Sequence, residues 1–133
     1  MVVLDANVAL EVCGAADGFA RFGREPLIAP PSMWPEARSG LHEAMWRGEI
    51  DRARAEGVLE RLEDSPIRLR THRRLGREAW RIATELGWAK TYHAEYLALA
   101  QLLGSVVVTL DLRLRRGADR LGLVITPKEL FDS

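Results

Sequence analysis

Two aspartates follow directly on short apolar runs. Val2-Val3-Leu4 ends in Asp5, and Val106-Val107-Val108-Thr109-Leu110 ends in Asp111. Runs this short, rich in β-branched residues and without a polar face, read as buried parallel strands. If the two strands are neighbours, their tips lie about 4.8 Å apart and both carboxylates can reach one divalent cation. Carboxylates that close repel each other unless a metal ion or a proton stands between them. Each aspartate alone also has a simpler use, as the N-cap of a helix that follows a strand. Glu36 is a third candidate. It is expected in the first turns of a helix whose Trp34, Ala37 and Leu41 look like core positions, so its carboxylate either complements the helix dipole or approaches the site from the side.

Other chemistries find little support. Cys13 is the only cysteine and has no basic neighbour in sequence, so neither an internal disulfide nor an activated thiolate is expected. The serines lack a nearby His–Asp arrangement. No glycine-rich phosphate loop is present, which argues against a nucleotide-binding domain. A phosphoaspartate phosphatase would want Asp-x-Asp with a threonine two residues on, where this chain reads Asp5-Ala6-Asn7-Val8-Ala9. A receiver domain would want a paired acid and a strand-end lysine, and neither is evident.

The elements that must position these acids can be read from periodicity. Leu27-Ile28-Ala29 before Pro30-Pro31 is a further strand, Leu123-Val124-Ile125-Thr126 closed by Pro127 another, and Ile67-Arg68-Leu69-Arg70 either a strand or an extended lead into a helix. Helices are expected from a Ser32 cap to about Arg47, over Asp51 to Glu63, from Thr71 to Leu86 before Gly87, and from Thr91 to Leu103 before Gly104. The second carries Ala55, Val58, Leu59 and Leu62 on one stripe. Short apolar strands alternating with helices predict an α/β fold: a three-layer α/β/α sandwich around a parallel sheet of four to five strands. Ligands of such sheets bind at the carboxyl ends of the strands, where Asp5 and Asp111 stand.

Composition sets the frame. The 133 residues fit one domain, 1–133, with 47% hydrophobic and 29% charged residues, as in ordinary globular proteins. No secretory signal and no apolar run of about 20 residues is present, so a cytoplasmic protein without a membrane role is expected. Net charge is zero, but its distribution is uneven. Six arginines fall between Arg68 and Arg81 against the single acid Glu78, and Arg113, Arg115, Arg116 and Arg120 form a second cluster. The only lysines are Lys90 and Lys128. Guanidinium groups suit bidentate phosphate contacts, and equally a solvated helix face.

Four segments resemble one known family. Val2-Val3-Leu4-Asp5-Ala6-Asn7-Val8 is similar to the opening of PIN domains, and Pro35-Glu36-Ala37-Arg38-Ser39-Gly40-Leu41 to the segment that holds their acidic residue. Tyr92-His93-Ala94-Glu95-Tyr96-Leu97-Ala98-Leu99-Ala100 resembles the helix with the pattern Tyr-Asp-Ala-x-Tyr-x-Ala-Leu-Ala, and Val108-Thr109-Leu110-Asp111 with Leu114 resembles the last motif. Together they span residues 2 to about 126. The resemblance implies a PIN fold and Mg²⁺- or Mn²⁺-dependent hydrolysis of RNA phosphodiesters. At this length it points to VapC-type toxins, the toxin half of type II toxin–antitoxin pairs, commonly homodimers silenced by a small antitoxin. It implies Asp5, Glu36 and Asp111 as metal-site residues, with Asn7 and Thr109 orienting ligands or water.

His93 departs from the pattern, standing where the family has a third aspartate. Glu95 cannot substitute, because two residues along a helix turn a side chain by roughly 200°. A neutral imidazole can ligate Mn²⁺ or Zn²⁺ but suits Mg²⁺ poorly, so His93 leaves a catalytic site of altered metal preference. Alternatively the acid is lost, by nature or by engineering, and the chain is a weakened or inactive PIN domain that binds RNA or antitoxin. Arg113, Arg115 and Arg116 just past Asp111 are candidates to grip RNA phosphates. Trp34, Trp46, Trp80 and Trp88 are expected in the core or a dimer interface rather than as base-stacking platforms. His42 and His72 have no ligand spacing to each other.

Overall fold

The computed structural model describes residues 1–125, apart from the side chains at 113, 117, 118, 124 and 125. In chain order the elements are β1 (Val2–Leu4), α1 (Ala6–Gly14), a 3-10 turn (Gly18–Phe22), β2 (Leu27–Ala29), α2 (Met33–Trp46), α3 (Arg52–Glu63), β3 (Arg68–Leu69), α4 (Leu75–Leu86), α5 (Tyr92–Leu103), β4 (Val106–Val108), α6 (Leu112–Asp119) and β5 (Val124–Ile125). The five strands form one all-parallel sheet in the order β3-β2-β1-β4-β5. Helices α1, α2 and α3 pack as one group and α4 with α5 as another, with α5 seated on β1 and β4. The expected three-layer α/β/α sandwich is therefore what the chain forms. No helix among the described residues is long and apolar enough to cross a membrane.

Wholly apolar strands can exist only where both faces are covered. Val3, Leu4, Val107 and Val108 are accordingly sealed from solvent, as are Leu97 and Leu99 of α5. From β1 the chain reaches β2 on one side and, through the later crossovers, β4 on the other. Strand order thus reverses at the β1/β4 pair, and the loops leaving the two carboxyl ends diverge to open a crevice there.

Several boundaries differ from the sequence reading. Strand β4 stops at Val108, not Leu110, because its neighbour β1 runs out: Leu4, the last residue of β1, pairs with Val108. Strand β5 spans Val124–Ile125, and the expected closing residues Thr126 and Pro127 lie outside the described residues. Helix α4 begins at Leu75, since Thr71 to Arg74 offer no apolar side chain to bury and instead form a turn in which the Leu75 amide donates to the His72 carbonyl at 2.9 Å. Ser32 and Thr91 precede α2 and α5 as expected but make no capping hydrogen bond, because their backbone is already helical (φ −68°, ψ −16° and φ −95°, ψ −8°). Asp51 does cap α3, accepting from the Arg54 amide at 2.8 Å. The helices before Gly87 and Gly104 end as expected, with φ of 71° and 66° at the two glycines, a left-handed conformation that a side chain would strain.

Trp34 and Trp88 pack against the core. Trp46 and Trp80, expected in the core or an interface, are 81% and 70% exposed on the outer faces of α2 and α4. Part of the Arg68–Arg81 cluster is balanced along α4: Arg74 and Arg81 pair with Glu78, and Arg81 with Glu85.

Candidate functional site at the β1/β4 switch point

Asp5 leaves the tip of β1 in an extended conformation (φ −81°, ψ 169°), and its Oδ1 accepts from the Val8 amide at 2.9 Å, capping α1. Its Oδ2 accepts from the hydroxyl of Thr109, the residue after β4. The β1/β4 register places Asp5 level with Thr109, so Asp111 stands two residues beyond rather than directly opposite. The Thr109 Oγ1 in turn accepts from the Asp111 amide at 3.0 Å, and Asp111 Oδ1 accepts from the Leu114 amide at 3.1 Å, capping α6. Both aspartates are therefore helix caps, and one hydroxyl joins the two strand tips. Thr109 is fully buried and Asp5 is 5% exposed, whereas Asp111 is half-buried.

Glu36 enters from the first turn of α2. Its Oε2 accepts from the Tyr96 hydroxyl at 2.8 Å, and its Oε1 lies 3.8 Å from His93 Nε2, beyond hydrogen-bond range. His93 and Tyr96 are three residues apart on α5 and so share one face. Burial raises the Asp5 carboxyl above its ordinary range, and the charges of Glu36 and Asp111 raise it further, while the Thr109 hydroxyl and the Val8 amide pull it down. The three acids thus share one electrostatic neighbourhood in which an ionised Asp5 is costly.

As the side chains lie, no group of three or more His, Cys, Asp or Glu encloses a metal position among the described residues. Both Asp5 oxygens and one Asp111 oxygen accept from donors of the chain itself, which leaves each with a lone pair to spare. The donor set still fits a hard divalent cation, with three carboxylates of converging charge and one of them unfavourably ionised without a counter-charge.

A cleft of about 790 Å³ opens beside this group, lined among others by Asn7 of α1, Ser32, Glu36 and Glu43, and Lys90 and His93. Asn7 is exposed and faces this cleft rather than the Asp5–Thr109 contact. The Ser32 Oγ is buried without a partner. Of the candidate RNA-contacting residues on α6, Arg116 is exposed and Arg115 Nε lies 4.0 Å from Asp119. The Arg113 side chain lies outside the described ones. The sequence reading did not single out Tyr96. Its signal was the i, i+3 spacing from His93, but the bond to Glu36 spans 60 residues of sequence.

Thr109 yields a direct test. Thr109→Val keeps the shape but strands the Asp111 amide and removes the donor to Asp5, and should cost roughly 2–4 kcal/mol in urea melts. Thr109→Ser keeps both bonds and should cost about 1 kcal/mol for the lost methyl. Equal losses for the two would show that the hydroxyl does not tie the strand tips together.

The chain matches no family model and no curated protein. Among solved structures it is similar to the crystal structure of PAE2754 from Pyrobaculum aerophilum, at 24% identity over 98% of this chain and 92% of that one, with a TM-score of 0.77. A likeness at that identity establishes a shared fold.

Proposed function

We propose that this chain is a metal-dependent endoribonuclease of the PIN type, the VapC-like toxin of a type II toxin–antitoxin pair. The observation that carries the reading is that Asp5, at the sheet's switch point, lies within the fields of both Glu36 and Asp111, whose charges add to burial in raising its carboxyl. Asp5, Glu36 and Asp111 would hold Mg²⁺ or Mn²⁺, with His93 beside Glu36. The chemistry such an ion supplies when bound is Lewis acidity toward the scissile phosphate and the attacking water.

The chain's own groups do the orienting. The Val8 and Leu114 amides and the Thr109 hydroxyl fix the aspartates, and Tyr96 fixes Glu36. Asn7 and His93 face the cleft, where an RNA strand can approach. Arg115 and Arg116 on α6 follow Asp111 and would grip flanking phosphates, and Arg113 belongs to the same helix. Covalent catalysis is not part of the reading, because burial pushes the Cys13 thiol up to about 11. A small antitoxin, a homodimeric assembly and a cytoplasmic location belong to the same proposal.

A second reading rests on His93: with an imidazole in place of a carboxylate next to Glu36, the chain is a catalytically weakened PIN domain that binds RNA or antitoxin. Incubating the protein with structured RNA in Mn²⁺, Mg²⁺ or EDTA separates the two. Cleavage with a divalent ion and none in EDTA supports the nuclease. Cleavage that survives EDTA removes metal dependence, and RNA binding without cleavage under any condition favours the second reading.

A further inference from the structure

Tyr96 is completely buried, yet it carries a hydroxyl. A phenylalanine would fill the same space on α5 without the cost of desolvating an O–H group, so the packing of the core does not explain the tyrosine. The hydroxyl donates to Glu36 Oε2 at 2.8 Å, while the Ala6 amide approaches its oxygen as a donor. No other hydrogen bond holds the Glu36 carboxylate among the described residues, and its side chain is 34% exposed at the cleft. Helices α2 and α5 hardly pack against each other, since α2 rests on α1 and α3 while α5 rests on α4, β1 and β4. The Tyr96–Glu36 bond is thus a strut across a seam between two helical groups.

The other end of the strut is the switch point. The Ala6 N–H points to the Tyr96 oxygen as a donor and the Asp5 charge bears on it, which places the phenol between the tip of β1 and α2. With Oε2 tied to the hydroxyl, Oε1 is turned to the His93 side. Without that tie a glutamate has three free torsions, and its carboxylate would sample the cleft and solvent at the expense of the Asp5 side.

We infer that Tyr96 is a positioning residue, which holds the Glu36 carboxylate at a set distance from Asp5 so that the two can share one divalent cation. The inference rests on the metal-site reading above and adds to it a residue that touches neither ion nor RNA.

The test is Mn²⁺ affinity, measured by calorimetry or by loss of the free-ion paramagnetic signal, in the wild type, Tyr96→Phe, Glu36→Gln and the double variant. Near-UV circular dichroism and melting without metal monitor the fold, and Tyr96→Phe, which keeps the ring, should melt only a few degrees lower. Affinity should fall on the order of tenfold or more in Tyr96→Phe, the scale of a lost partner behind a ligand. In the Glu36→Gln background the same change should add less than about twofold, because the group it positions is already disabled. Wild-type affinity in a folded Tyr96→Phe overturns the inference, and so does an equal loss in both backgrounds, which would mark a purely structural bond. A wild type that binds Mn²⁺ and shows the expected coupling but cleaves no RNA overturns the nuclease and leaves the strut standing. A wild type that takes no Mn²⁺ overturns both.

Discussion

Asp5→Asn should lower Mn²⁺-dependent RNA cleavage by about 10³-fold while making the metal-free protein more stable at neutral pH. On the proposed metal site, the loss follows from removing a charged oxygen ligand where Lewis acidity would supply several kcal/mol, with about 1.4 kcal/mol per tenfold in rate. The gain follows from burial. The Asp5 carboxyl is raised above its ordinary value of 3.8, first by desolvation and then by Glu36 and Asp111. A group whose folded pKa lies above its unfolded one binds more protons in the native state, so stability falls as pH rises from 3.8 through the raised value and stays low above it. The amide keeps an oxygen for the Val8 N–H, but its NH2 meets Thr109 Oγ1 as a donor where Oδ2 had accepted. The expected gain is what removing the buried charge contributes beyond the loss of that one bond. Melts across this range should therefore superimpose for the two proteins at the acid end and separate in favour of Asp5→Asn toward neutrality. Saturating Mn²⁺ should then raise the wild-type melting temperature and leave the variant unchanged, since only the wild type has the ligand to bind it. A variant that melts lower at every pH would mean that the Asp5 charge is not a burden. A variant that still cleaves would remove Asp5 from the chemistry.

His93→Asp should raise Mg²⁺-supported cleavage on the order of tenfold, and narrow the preference for Mn²⁺ over Mg²⁺ that the wild type is expected to show. An imidazole nitrogen is a good donor to Mn²⁺ and a poor one to Mg²⁺, whereas a carboxylate serves both. His93 Nε2 lies 3.8 Å from Glu36 Oε1 on the wall of the cleft, so a carboxylate introduced there joins the existing acids rather than a separate surface. Cleavage rates with each metal, read as kcat and KM separately, decide the matter. A wild type equally active with both ions, or a variant that gains with neither, would show that residue 93 does not set the metal preference.

Much of the fold was legible because buried parallel strands leave a plain mark. Val2-Val3-Leu4 and Val106-Val107-Val108 could only be strands covered on both faces, and Gly87 and Gly104 end their helices through conformations a side chain resists. What failed was local and has local causes. Thr109 and Leu110 have strand-forming side chains, but pairing with β1 ends where β1 ends, and that is a property of Leu4. Ser32 looked like a cap, but a serine whose own backbone is helical cannot reach the amides above it. Asp5, Glu36 and Asp111 could be picked out individually from their places after strands and within a helix. Their mutual geometry could not, because the Thr109 hydroxyl and the Tyr96 phenol that organise them act across 104 and 60 residues of sequence.

The outer margin of the sheet has its own consequence. Strand β3 is an edge only two residues long, with Leu69 55% exposed between the exposed Arg68 and Arg70. An incoming strand would find one or two ladder bonds to make and guanidinium groups on either side, and a second copy would bring its own. On this margin the exposed ladder is too short and too positive to serve as a template for fibrils.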